Sequence, residues 1–145
     1  MKEFKIVADI KAPASQVFAV LCDVERWPEW TSTVTSIRRI DSGPLAVGSS
    51  AWIKQPKLRK AVWRVAELED GKRFAWVTSG LGVQVKGDHV VESAGDGSRV
   101  TLTIKVSGLL APLVVRLYRG LFEQYLATEA NGLRQHCEAE APEAA

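Results

Sequence analysis

The chain has 145 residues, 46% hydrophobic and 25% charged, the usual make-up of one globular domain that buries about two-thirds of its unfolded surface in a single core. A formal net charge of +2 lacks the concentrated basic footprint of nucleic-acid binders and argues against such a partner. The most apolar run, Leu109 to Leu117, is interrupted by Pro112 and Arg116 and is too short to form the ~20-residue helix that spans a bilayer, so no transmembrane segment is expected.

The N-terminus, MKEFKIVADIK, is charged throughout and has no apolar signal-peptide core, which makes the cytoplasm the expected location. Residues 3–11 alternate, with Phe4, Ile6, Ala8 and Ile10 on one face, and read as a half-buried strand. Pro13 suits a first helical turn, and Val17, Phe18, Leu21 and Cys22 follow at helical spacing up to Asp23. A second short helical or turn segment, Val24 to Trp30, contains Trp27-Pro28-Glu29-Trp30.

From about Val34 to Gly108 the period is two, broken by turn signals at Asp41 to Pro44, Gln55 to Lys57, Asp70-Gly71, Gly80 to Gly82 and Gly95 to Gly97, which predicts six strands. Asp70-Gly71 is a favoured pair for a type I′ hairpin turn, whose two central residues need positive φ. Such short links make neighbouring strands antiparallel. After Gly108, Leu110, Leu113, Val114, Leu117, Leu121, Phe122, Tyr125, Leu126 and Leu133 recur at intervals of three and four. This predicts a helix of about 28 residues, about 40 Å long. Gly120 and Gly132 within it each cost about 1 kcal/mol relative to Ala, which points to a bend or a close approach. Residues 139–145 read as a disordered tail, leaving one domain over residues 1–138.

Strand, two short helices, six strands and a long helix describe an α+β domain. A seven-stranded antiparallel sheet twists strongly, and wrapping it around one helix leaves room for a cavity. The stretch Ile6 to Val34, IVADIKAPASQVFAVLCDVERWPEWTSTV, resembles the opening of the START-like helix-grip (SRPBCC) superfamily in its polyketide cyclase/dehydrase-like branch. Gly95 to Thr103, GDGSRVTLT, resembles a later hairpin of the same branch, and the likeness covers nearly the whole chain. The resemblance implies a helix-grip fold, with a curved seven-stranded antiparallel sheet around a long C-terminal helix and two short helices between strands 1 and 2. It implies either binding of a small hydrophobic or aromatic molecule, lipid-like or polyketide-like, or a polyketide cyclase/aromatase or dehydratase using acid–base catalysis. A small hydrophobic molecule is the expected partner, no cofactor is implied, and the expected assembly is a monomer or homodimer.

Alternation puts Trp63, Phe74, Trp76, Val85, His89, Leu102 and Ile104 of the sheet, with Leu117, Leu121, Phe122 and Tyr125 of the helix, on the expected ligand-binding wall, with core or covering packing as the alternative for the tryptophan rings. Affinity for an apolar ligand would come mainly from buried area, at about 25 cal/mol per Å². His89 is the best acid–base candidate, with ligand or backbone hydrogen bonding as the competing role. Asp88 cannot orient it, because adjacent strand residues face opposite sides.

Tyr118, Phe122, Tyr125 and Glu129 fall on one helical stripe. The phenols Tyr118 and Tyr125 are candidate proton donors to a carbonyl or enolate, with core packing as the alternative. Glu129 reads as solvated beyond the sheet edge, with entry into the pocket as the alternative. Trp27 and Trp30, which the resemblance places across one end of the sheet near the cavity mouth, read as a plug packed on the first strand and the long helix, with direct ligand contact as the alternative, and the facing of Trp52 is open. Lys54, Lys57, Arg59 and Lys60 read as a solvated hairpin, with attraction of an anionic ligand or lipid surface as the alternative. His136 is expected to meet the terminal helix carbonyls. Cys22 and Cys137 read as free thiols, no metal-ligand spacing occurs, and GxSxG, HExxH and Walker patterns are missing.

Overall fold

The apolar alternation is realised as β1 (Lys2–Ile10), β2 (Ser36–Arg39), β3 (Ser50–Lys54), β4 (Ala61–Glu69), β5 (Arg73–Gly80), β6 (Val83–Ala94) and β7 (Gly97–Ser107). They form one antiparallel sheet in the order β1-β7-β6-β5-β4-β3-β2. The helix α1 (Ala14–Cys22) and a 3-10 turn (Val24–Glu29) lie between β1 and β2, and α2 (Ala111–Glu140) follows β7. This is the expected helix-grip α+β architecture, seen in a computed structural model that describes residues 2–140.

The strand register explains the concave wall. Ile6, Leu102, His89 and Phe74 form one row across four strands. Phe4, Ile104, Gly87, Trp76 and Val65 form the adjacent row. A bulge between Val65 and Glu67 adds a residue to β4, and such an insertion bends the strand and increases its twist.

The long helix packs chiefly on β1 and β7 and only marginally on β6. Its inner face buries Phe122, Leu126, Leu133 and Cys137, while α1 contributes Val17, Phe18 and Leu21 to the same core. The concave surface of β3 to β6 is therefore not filled by α2.

Local readings need four corrections. The two-residue turn with positive φ at both central positions falls at Leu81-Gly82, between the register partners Gly80 and Val83. Asp70 to Lys72 instead make a three-residue connection between Glu69 and Arg73, with positive φ at Gly71 alone. The helix continues through Ala139 and Glu140, so the expected tail starts too early, and its residues 141–145 lie outside the described residues.

The two helix glycines also differ. A Cβ at Gly132 would lie 1.9 Å from the Trp30 carbonyl oxygen, whereas none at Gly120 would meet any atom within 4 Å. Gly132 is thus the close approach, where α2 crosses the segment after the 3-10 turn. Finally, Leu110, Leu113 and Leu117 are exposed, because the start of α2 turns Ala111, Val114 and Tyr118 inward and leaves this row on its outer side. Among the described residues no helix is long and apolar enough to cross a membrane.

Candidate functional site

The uncovered half of the concave sheet and the inner side of α2 enclose a cavity of about 610 Å³, within the range of small-molecule sites. Trp63, Trp76, Val85, His89, Leu102 and Ile104 line it from the sheet, as do Phe122 and Tyr125 from the helix. Phe74 is fully buried one layer behind that wall, stacked under His89. Leu117 is 68% exposed on the outer surface of α2, and Leu121 borders a separate small depression. These three residues are corrections to the expected wall: a continuous helical stripe was assumed to face the sheet, yet α2 turns its outer Leu row to solvent.

Trp27 lines the inner end of the cavity, as the alternative of direct ligand contact requires, and does not stand at its mouth. Its indole N–H donates to the Leu21 carbonyl at 2.9 Å. Its ring meets Trp76 and His89 at centroid distances of 5.2 and 5.4 Å. It therefore packs on β5 and β6, not on β1 and α2 as expected for the plug. The Trp30 ring packs beside it at 5.2 Å. Gly87 is the floor beneath Trp76. A Cβ there would lie 3.3 Å from the indole nitrogen, so the missing side chain lets the ring lie across the strand. Trp52 faces away from the cavity, between the buried Ala51 and Ile53, with the Lys60 ammonium over its ring.

His89 is buried, and its Nδ1 lies 3.1 Å from the Phe74 carbonyl oxygen. A carbonyl only accepts, so Nδ1 carries the proton and Nε2 is an acceptor. Burial lowers the imidazole pKa from 6.5 to about 4, against the opposing influence of the Phe74 carbonyl. The ring is neutral near neutral pH. Asp88 turns to the opposite face, where its carboxylate accepts two bonds from Arg73 at 2.8 and 2.9 Å. It takes no part in orienting His89.

Glu129 enters the cavity wall instead of standing beyond the sheet edge. Burial alone raises its carboxyl pKa from 4.5 to about 8, so the acid is largely protonated near neutral pH and offers an O–H donor. One turn earlier, the Tyr125 hydroxyl donates to the Pro56 carbonyl, tying α2 to the β3–β4 loop. Burial, then the nearby Glu129, raise that phenol's pKa. Its proton is engaged by backbone and not aimed at a ligand. Tyr118 lines the cavity at its exposed edge.

The arrangement has apolar walls, a neutral imidazole acceptor and a neutral carboxyl donor. It can enclose an apolar body and hydrogen-bond its polar groups. Near the helix end, His136 faces the Glu140 carboxylate at 3.4 Å instead of terminal carbonyls. Cys22 and Cys137 are free thiols. No cluster of potential metal ligands occurs among the described residues.

Several solved structures share this fold. The Zhui aromatase/cyclase of Streptomyces sp. R1128 superposes with a TM-score of 0.79 at 13% identity, over 97% of this chain and 99% of that one. The protein TTHA0849 of Thermus thermophilus gives 0.77 at 19% identity, over 97% and 100%. A protein of Thermobifida fusca gives 0.79 at 16% identity, over 99% of each. No curated protein sequence matches the chain. The sequence profile described as polyketide cyclase / dehydrase and lipid transport matches residues 1–138, and the chain belongs to that family.

Proposed function

We propose that the protein binds a small hydrophobic or aromatic molecule, lipid-like or polyketide-like, in the cavity between β3 to β6 and α2. The observation that carries this reading is the lining itself. A volume of about 610 Å³ is walled largely by Trp, Phe, Leu, Ile and Val side chains, which supplies affinity through buried area. The His89 acceptor and the Glu129 donor fix orientation, selecting a ligand with at least one hydrogen-bonding group on an apolar frame.

Native mass spectrometry of gently purified protein tests the reading directly, with a co-purified small molecule expected. Titration with anilinonaphthalene sulfonate supplies the second measurement. Trp63→Ala removes a half-buried ring from the wall and is expected to weaken probe binding about tenfold, with a smaller effect on stability. No retained molecule, together with equal probe binding by the folded variant, overturns the proposal.

A cyclase, aromatase or dehydratase activity is the second reading, and the paired environments of His89 and Glu129 favour it. One cavity holds a group kept deprotonated and another kept protonated near neutral pH, the division of labour that acid–base catalysis requires. In this reading His89 is the base and Glu129 the acid, while Tyr125 holds the loop. Turnover of a poly-β-ketone mimic with a pH-dependent rate abolished in both His89→Gln and Glu129→Gln supports it. Tight binding of the mimic without turnover leaves binding as the function.

A further inference from the structure

The cavity opens where its lining residues become exposed: Leu81 at the β5–β6 tip, Lys57 and Arg59 in the β3–β4 loop, and Tyr118 on α2. The hairpin tip and the start of α2 are one continuous surface, because the Leu110 amide donates to the Gly82 carbonyl at 3.1 Å. Leu81, Leu109, Leu110, Leu113 and Leu117 all lie on these two segments, and among the described residues they are the only exposed leucines. Leu109 and Leu81 are 90% and 89% exposed. Leu110, Leu113 and Leu117 repeat at the three- and four-residue spacing of a buried helix face, yet among the described residues nothing buries them. Leu81 also holds φ +52°, a left-handed conformation that Gly or Asn adopts with less strain.

The charged side chains on the segments that frame the mouth have one sign. No Asp or Glu occurs between Asp41 and Glu67, between Asp70 and Asp88, or between Asp96 and Glu123. The segments framing the mouth fall in these three gaps. Beside the mouth they carry Lys57, Arg59 and Arg116, none of which forms an ion pair among the described residues, while Lys60 turns to the Trp52 ring on the opposite face of the sheet and Arg119 borders a separate depression with Glu3 and Glu123. Lys54 braces the loop by donating to the Gln55 and Leu58 carbonyls. A chain of net charge +2 thus gathers unpaired cations around its exposed leucines. A second copy of the same face would set cation against cation, whereas an anionic lipid surface satisfies both features together.

We propose that this surface docks the protein on an anionic phospholipid bilayer. Leu81, Leu109, Leu113 and Leu117 enter the boundary between headgroups and acyl chains, and the surrounding Lys and Arg side chains lie among the headgroups. The cavity mouth then faces the membrane, giving an apolar molecule a route in or out that avoids water. The docking surface stands independently of which molecule occupies the cavity.

Flotation of the full chain with vesicles of phosphatidylcholine alone, or mixed with an equal part of phosphatidylglycerol, is the test. Binding is expected to the mixed vesicles, to fall as sodium chloride is added, and to be weak on phosphatidylcholine alone. The double variants Leu109→Asp/Leu113→Asp and Arg59→Glu/Arg116→Glu are each expected to lower vesicle partitioning more than about tenfold. Their circular dichroism should match the parent, since all four side chains are exposed. Equal binding to both vesicle types, no binding at low salt, or parent-like binding by the folded variants overturns the proposal. So does a dimer in light scattering that the leucine variant splits, which would make the patch a self-interface. Retained probe binding by that variant separates loss of docking from loss of the cavity.

Discussion

The imidazole of His89 lies flat on the ring of Phe74, with centroids 4.2 Å apart and planes 11° from parallel, while its Nδ1 donates to the carbonyl of that same residue at 3.1 Å. The two are register partners on β5 and β6, so one residue holds both a face and an edge of the imidazole. This clamp leaves Nε2 as the nitrogen available to a ligand. It also links the site to folding.

The first prediction follows from that burial. The unfolded chain protonates His89 near 6.5, whereas the folded protein resists until about 4. Between these values the unfolded state binds more protons, so this contribution lowers stability as pH falls through the window and is without effect above it. Because Glu129 contributes the opposite slope above 4.5, the difference between two proteins isolates the effect. His89→Phe keeps an aromatic ring that cannot be protonated, costs about 1 kcal/mol near neutral pH for the lost hydrogen bond, and should gain on the parent in urea denaturation as pH falls from 6.5 towards 4. A parent-like slope in the variant contradicts the assignment.

Glu129 has the opposite sign. Its folded pKa of about 8 lies above the ordinary 4.5, so between them the folded state holds the extra proton and stability falls as pH rises. Glu129→Gln should match the parent in acid and exceed it by roughly 1–2 kcal/mol in mild alkali, where the parent ionises a half-buried acid. Identical alkaline limbs for the two proteins would place the carboxyl in solvent.

The two glycines of α2 should respond in opposite directions to the same substitution. Gly120→Ala meets open space and should stabilise by about 0.5–1 kcal/mol through helix propensity. Gly132→Ala drives a methyl into the Trp30 carbonyl and should destabilise by about 1–3 kcal/mol. Thermal unfolding of the pair measures both, and equal shifts would mean α2 does not cross at Gly132.

Tyr125→Phe keeps the ring but removes the hydroxyl that holds the Pro56 carbonyl. A loss of about 0.5–1.5 kcal/mol is expected, concentrated in the loop from Gln55 to Lys60. Hydrogen exchange should accelerate there and not in β6 or β7. Uniform acceleration would instead assign Tyr125 to the general core.

Much of the sheet wall was legible because strand parity is local. Trp63, Trp76, Val85, His89, Leu102 and Ile104 line the cavity, and Asp88 points away to Arg73, as period-two alternation requires. Phe74 had the correct face, but its ring lies beneath His89, and parity does not say which inward residue covers another. The helix was harder to read. Its apolar residues occupy two stripes, and only the crossing at Gly132 decides that Phe122 and Leu126 are buried while Leu113 and Leu117 meet solvent. The same crossing turns Glu129 inward. Charge spacing alone gave it no more claim to the cavity than to water.

Local patterning along the chain determined seven strands, their antiparallel pairing, the two short helices and the long final one, because side-chain period and turn chemistry act over a few residues. The family resemblance of Ile6 to Val34 added the way these pieces assemble. Only the tertiary structure decided which half of the sheet α2 leaves uncovered, where Trp27 closes the cavity, and which leucines and cations surround its mouth. Those outcomes depend on helix placement over a curved sheet. A rotation of α2 about its own axis would exchange buried for exposed residues without altering any local pattern.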